Sequence, residues 1–279
     1  MPRSARPLAA RLALAGGLAL AALPAAAHIA AIGQTVEEAR PDLIQGLPSQ
    51  LGVRSDVVRG RRHFRIGFAS TVVNGGRGGL LLDARRPSRR TRHMTADQLV
   101  VRTNGTLRRY RRVGHMVYVS NADHEHWHFV RFERYALRRS PSGRIVGRDH
   151  KTGFCPTEDY RDRRYPAAPA RIFDAGYVED TNCGNGSPGI RRVKTTIYAG
   201  YADQYVPFIE GQSIDVTGLP AGSYELVHRV NDRRLLRELR YDNDAASVRF
   251  RLTWPRGHRR LPRLRVVARC PGRPRCPAR

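Results

Sequence analysis

In the stretch Asp123-His124-Glu125-His126-Trp127-His128-Phe129, three of the chain's ten histidines alternate within five residues. The residues that follow, Val130, Phe132 and Tyr135, are apolar or aromatic, and with Trp127 and Phe129 they give the segment the composition of a strand. Side chains of a strand alternate faces, so His124, His126 and His128 are expected on one face, about 7 Å apart from one α-carbon to the next. Imidazoles on such a ladder can converge on one metal ion. Neutral imidazole suits copper, zinc, iron and nickel, and three nitrogen ligands with an open position is the pattern of a catalytic metal site.

Working outward, the same period-two alternation recurs. His63 to Val73 alternates and ends in the glycine-rich turn Asn74-Gly75-Gly76-Arg77-Gly78-Gly79, after which Leu80-Leu81-Leu82 begins another strand. Val100-Val101 and Leu107 flank Asn104-Gly105, a hairpin signal. Val117 to Val119 leads into the histidine strand, which is expected to run on to Leu137 before the turn at Pro141-Ser142-Gly143. Strands resume at Val193 to Tyr198, Ser213 to Val216 and Tyr224 to Val230. Val248, Phe250, Leu252 and Trp254 alternate with Arg249, Arg251 and Thr253, as in a half-buried strand. Many short strands with turn signals predict a mostly β fold, an antiparallel β-sandwich-like domain with long loops and little helix, the helix confined to a short piece near Gln34 to Arg40. The middle, from about Gly147 to Gly189, reads as loop.

The ends differ from the middle. Arg3, Arg6 and Arg11, the alanine- and leucine-rich run Leu12 to Leu23, and Ala25-Ala26-Ala27 have the form of a signal peptide over 1–27. The run is short for a membrane span, and no later segment is apolar enough to be one. Residues 28–257 are expected to form the folded domain and 258–279 an Arg/Pro-rich C-terminal tail. Four cysteines suit an oxidising compartment. Cys155 with Cys183, and Cys270 with Cys276, are plausible pairs among the three connectivities that four cysteines allow.

The formal charge is +26 on 279 residues. That favours anionic partners such as a cell-envelope surface or an acidic polysaccharide. The arginines are spread along the chain rather than gathered in one arm, so nucleic acid is not favoured. Only Lys151 and Lys194 are lysines, while 48 of the 50 basic residues are arginine. A lysine retained against that bias points to a need for an amine, because arginine stays protonated and cannot act as a nucleophile.

The histidine run on its aromatic strand resembles the copper site of the lysyl oxidase family. Gly147-Arg148-Asp149-His150-Lys151-Thr152-Gly153-Phe154-Cys155 resembles that family's G-H-K-A-S-F-C segment, with Lys151 on the cofactor lysine. Gly211-Gln212-Ser213-Ile214-Asp215-Val216-Thr217 resembles its Q-W-I-D-I-T run, with Ser213 in place of the tryptophan. Eight residues before Ser213 stands Tyr205, where the family has its cofactor tyrosine, and Asp203-Gln204-Tyr205 is similar to its D-T-Y context. Glu238 and Tyr241-Asp242-Asn243 resemble an E-x-x-Y-x-N stretch. The resemblance runs from about Pro41 to Trp254 and is strongest from Asn121 to Val216. Departures are Val206-Pro207-Phe208 after the tyrosine, a longer interval from Lys151 to Tyr205 than in animal members, and the absence of many of their cysteines, as in a bacterial-type member.

The resemblance implies a copper ion on His124, His126 and His128, and a lysine tyrosylquinone made from Lys151 and Tyr205. It implies oxidative deamination of primary amines, peptidyl lysine or small amines, with molecular oxygen as acceptor, giving aldehyde, hydrogen peroxide and ammonia in a secreted or envelope-associated protein. Asp149, Asp203 and Glu238 are candidates for the general base. Two other readings of the same residues are a non-catalytic metal- or polyanion-binding sandwich, and a zinc hydrolase. The second needs a base, and Glu125 is expected on the wrong face of the strand.

Overall fold

The computed structural model describes residues 37–121, 125–149, 151, 153–166, 181–207 and 209–277. The expected signal segment, His124 and His150 lie outside the described residues. In chain order the strands are β1 (Glu38–Ala39), β2 (Leu43–Gln45), β3 (Ser49–Val58), β4 (Arg61–Asn74), β5 (Leu80–Arg85), β6 (His93–Arg102) and β7 (Leu107–Ser120). They continue with β8 (Glu125–Val130), β9 (Glu133–Arg139), β10 (Ile145–Arg148), β11 (Gly153–Phe154), β12 (Tyr160–Arg161) and β13 (Arg192–Ile197). The last are β14 (Tyr201–Tyr205), β15 (Ser213–Asp215), β16 (Gly222–Val230), β17 (Ala245–Thr253) and β18 (Arg263–Cys270). Every strand pairing is antiparallel, as the alternating patterns predict.

Three sheets result. One has the order β11-β8-β7-β6-β5-β13, with β1 added on β6. A second runs β10-β9-β16-β17-β18, and a third runs β12-β14-β4-β15 with β2 and β3 also on β4. Their inner faces share one core, in which Phe68, Trp127, Phe132, Tyr135, Phe154 and Phe250 are buried. The aromatic rings meet edge to face, as ring quadrupoles prefer. Phe68 lies 4.8 Å from Tyr135, Tyr135 6.0 Å from Phe154, and Phe154 5.0 Å from Tyr205.

The expected hairpin at Asn104-Gly105 is present. Val101 pairs with Leu107, and Gly105 takes a φ of +79°, which a glycine adopts without steric strain. Three sequence expectations are corrected. The histidine strand does not continue to Leu137: the chain turns at Arg131 (φ +64°) and Phe132, so β8 belongs to the first sheet and β9 to the second. A stretch rich in apolar and aromatic residues cannot by itself mark where a strand changes sheets. The short helix expected near Gln34 to Arg40 is absent over its described part, where Glu38–Ala39 pair with Arg102 and Val101 of β6. Finally, part of the expected C-terminal tail is β18, which pairs with β17 from Ser247↔Cys270 to Thr253↔Arg263. Its alternating arginines face solvent, and charged residues of this kind protect an edge strand from further pairing.

Candidate active site

Strand β8 lies between β7 and β11, with Val117 opposite His128, Val119 opposite His126, and Phe154 opposite Phe129. This pairing fixes which face each side chain takes. Trp127 turns to the opposite side, where its ring meets Tyr118 at 5.6 Å and the guanidinium of Arg86 at 4.6 Å. His126 and His128 share a face as the alternation predicts, with their Nε2 atoms 2.8 Å apart and ring centroids 4.6 Å apart. His128 is buried and His126 half-buried.

Two convergent imidazole nitrogens are a donor set that fits a borderline cation such as copper or zinc. Among the described residues no group of three such ligands is complete, and the third histidine of the run, His124, lies outside them. Glu125 is exposed, and its Oε1 accepts a hydrogen bond from Ser120 Oγ at 3.0 Å. It is therefore poorly placed as the base of a hydrolase.

Lys151 follows β10 and precedes β11, and it is buried. Its ammonium lies 4.8 Å from the centroid of the Tyr205 ring and 4.9 Å from that of Phe154, and it donates to the Glu210 carbonyl at 3.1 Å. The two residues that the resemblance links, 54 positions apart in sequence, are thus neighbours. Gly211 makes the approach feasible. It has a φ of +78°, and a Cβ there would sit 2.7 Å from Lys151 Cβ. Burial pushes the Lys151 amine down to about 8, against the opposing pull of Glu133, Asp203, Glu210 and Asp149.

Tyr205 ends β14, where it pairs with Ser70 of β4. Its hydroxyl donates to the Cys155 carbonyl at 2.8 Å, and Cys155 is tied to Cys183 by one of the two expected disulfides. Burial holds its phenol well above the ordinary tyrosine value, aided by the carboxyls of Asp203 and Glu133. Asp203, two residues earlier, falls on the same strand face and is buried. Burial also raises its carboxyl well above the ordinary value, and Asp159 and Glu133 add to the effect.

A cavity of about 340 Å³ opens beside these groups, lined by His126, Cys155, Asp159, Asp203, Tyr205 and Ile209 among others. Of the three candidate bases, only Asp203 lines it. Asp149 is engaged elsewhere, accepting from the Tyr135 backbone N–H at 2.8 Å and lying 3.5 Å from Arg134. Glu238 accepts from the Leu43 N–H at 2.8 Å and from Asn231, next to Asp42 and Asp244, and does not line the cavity.

Two acids were not legible from the sequence. Asp159, whose carboxyl burial raises, lies in an irregular segment without a motif. Glu133 is fully buried behind the site, where Ser70 and Gln45 donate to it and burial pushes it up to about 7.

Comparison with known proteins gives two findings. Residues 173–258 match the family model for lysyl oxidase. The chain is also 29% identical over 136 residues to protein-lysine 6-oxidase of Rattus norvegicus, a match that covers 47% of this chain and 27% of that protein. The family match includes Tyr205 and the Gln212–Val216 run, whereas the histidine strand and Lys151 precede it. With the juxtaposition of Lys151 and Tyr205, these matches support a likeness to the lysyl oxidase family over part of the chain.

Proposed function

We propose that this protein is a secreted copper-dependent amine oxidase. It would convert a primary amine, oxygen and water to an aldehyde, ammonia and hydrogen peroxide, using a lysine tyrosylquinone formed from Lys151 and Tyr205. His124, His126 and His128 would hold the copper. The observation that carries this reading is the Lys151 ammonium poised 4.8 Å from the Tyr205 ring centroid, beside a cavity that His126 also lines.

When bound, the metal and the quinone supply the two-electron oxidation of the amine and pass its electrons to oxygen. The chain's own residues do the rest. With its amine brought down to about 8, Lys151 is in part neutral near physiological pH, and only the neutral form is a nucleophile. The Cys155 carbonyl fixes the Tyr205 hydroxyl, and Phe154 packs edge-on against the ring, so that the ring is held in one orientation. Asp203 lines the same cavity and, in its ionised form, which burial disfavours and a neighbouring cation favours, is the group best placed to take the α-proton of a bound amine. A cationic amine in the cavity would in turn favour the ionised forms of Asp203 and Asp159, whose carboxyls burial raises, inside a chain of net charge +26.

The test is peptide mass mapping of protein folded with copper and oxygen. A single cross-linked species containing Lys151 and Tyr205, absent in Lys151→Arg, is expected, together with amine-dependent release of peroxide. Separate Lys151 and Tyr205 peptides from folded, copper-loaded protein would rule the reading out.

A further inference from the structure

The outer face of the five-stranded sheet carries a second feature, separate from the cavity above. On β9, Arg134, Ala136 and Arg138 alternate with the buried Tyr135 and Leu137. Val227 of β16 pairs with Ala136, and Arg229 with Arg134, while Arg148 of β10 pairs with Ala136 from the other side. The register therefore brings the guanidinium-bearing positions of three strands onto one face. They line a hollow of about 380 Å³ whose apolar walls are Ala136, Ile145 and Val227.

The acids near this hollow are already engaged. Arg131 pairs with Asp232 Oδ2 at 2.7 Å, although Asp232 itself lines the hollow and its Oδ1 has no hydrogen-bond partner; Arg134 lies 3.5 Å from Asp149, and Glu225, opposite Arg138 in register, is held by Arg249 at 2.9 Å and by the Cys276 N–H at 3.3 Å. Asp244 acts on Arg229 at longer range, but burial pushes its carboxyl up to about 7, so it offsets little. Arg138, Arg148 and Arg229 have no carboxylate at ion-pair distance among the described residues.

Arg138 Nε is moreover buried with no acceptor, a costly condition for a donor. Burial, and then the neighbouring charges of Arg275, Arg229 and Arg148, hold its guanidinium below the ordinary value. Arg275 belongs to the loop closed by the Cys270–Cys276 disulfide. A contrasting arginine-lined hollow, formed by Arg40, Arg77, Arg102 and Arg108, carries its own acids: Glu38 pairs with Arg40 and Arg108, and Glu37 with Arg77.

We propose that the hollow over β9, β10 and β16 is a binding site for an oligoanion of two or three linked phosphate or sulfate groups. Such groups accept the planar guanidinium fork in bidentate fashion, and linked together they set several such acceptors within the span of one hollow. Neighbouring strands lie about 4.8 Å apart, so charges on three strands match closely spaced anions rather than one ion. The hollow offers no exposed ring for a base to stack on, since Tyr135 is buried, and single-stranded nucleic acid binds chiefly through such platforms. The site is independent of what the cavity beside Tyr205 does.

The experiment is calorimetric titration with three probes: tripolyphosphate, a sulfated oligosaccharide and a single-stranded DNA oligomer. The probes are compared on the unaltered protein, on Arg138→Gln/Arg148→Gln/Arg229→Gln, and on a control with equal charge loss, Arg59→Gln/Arg61→Gln/Arg62→Gln. Tripolyphosphate or the sulfated oligosaccharide is expected to bind at least tenfold more weakly to the first variant and less than twofold more weakly to the control. The tighter of the two names the source. Equal losses in both variants, or none in the first, would mean diffuse attraction by net charge and would overturn the site. DNA binding as tight as tripolyphosphate, and lost with the same three arginines, would overturn the ligand class. If the first variant fails to fold, arginine-directed labelling of the unaltered protein gives the same decision: tripolyphosphate should protect Arg138, Arg148 and Arg229 selectively, and uniform protection with Arg59, Arg61 and Arg62 would refute the site.

Discussion

Lys151 is the residue on which the proposed chemistry turns. It was legible because the chain writes nearly every other positive charge as arginine, and its partner Tyr205 was legible only by its position in a motif, since the chain has 11 tyrosines. The structure adds the environment. With the amine at about 8, the neutral fraction climbs from about a tenth at pH 7 to about nine-tenths at pH 9. A lowered lysine pKa frees the amine as pH rises through that value, so the initial rate of Lys151–Tyr205 cross-linking should rise across this window and level off above it. Stopped-time mass mapping measures this. Asp203→Asn should lower turnover per cross-linked molecule by about 10²–10⁴, because an amide of similar shape cannot take the α-proton. A fall of less than threefold would remove Asp203 from that role. Asp203 sits in the D-x-Y pattern and could be read from sequence. Glu133 and Asp159 could not, because their relevance arises from strands distant in sequence folding around the lysine.

At the scale of elements, β8 sets the histidines and β14 sets Asp203 and Tyr205, while the segment around β11 carries Lys151 between them. The histidine alternation was readable because side-chain period two is a local property of a strand. β14 was not, since five residues, Tyr201–Tyr205, alternate too briefly to stand out from the flanking loops. The Cys155–Cys183 disulfide spans 28 residues and anchors the carbonyl that holds Tyr205. Replacing both cysteines by serine should cost about 3–4 kcal/mol by the loop-entropy estimate, visible as a lower denaturant midpoint. It should also reduce the yield of cross-linked peptide, since the Cys155 carbonyl would no longer be fixed. Unchanged midpoint and yield together would show that β11 holds the carbonyl without the disulfide.

Across the whole molecule, the charge of +26 opposes the approach of the proposed cationic amine, while Asp159 and Asp203 in the cavity favour it to the extent that they ionise against the effect of burial. The two act at different range. The Debye length shrinks from about 30 Å at 0.01 M salt to about 8 Å at 0.15 M, which screens the surface arginines more than buried carboxyls. The value of kcat/KM for a cationic amine should therefore rise with ionic strength over that interval, the reverse of ordinary steering between opposite charges. A fall would mean that the acidic lining dominates the approach even at long range. Among the described residues no helix is long and apolar enough to cross a membrane.

What the sequence alone determined was whatever depends on local spacing, the antiparallel β class and the shared face of His126 and His128, together with the candidate positions Lys151 and Tyr205 that the resemblance marked; the two cysteine pairs were only plausible among three connectivities. What only the tertiary structure decided was whatever depends on which strands become neighbours. That includes the break of the histidine strand at Arg131, the incorporation of β18, the placement of Asp203, and not Asp149 or Glu238, on the cavity wall, and the arginine hollow over β9, β10 and β16. Periodicity is a property of a segment, whereas burial, pairing and charge balance belong to contacts between segments far apart in the chain.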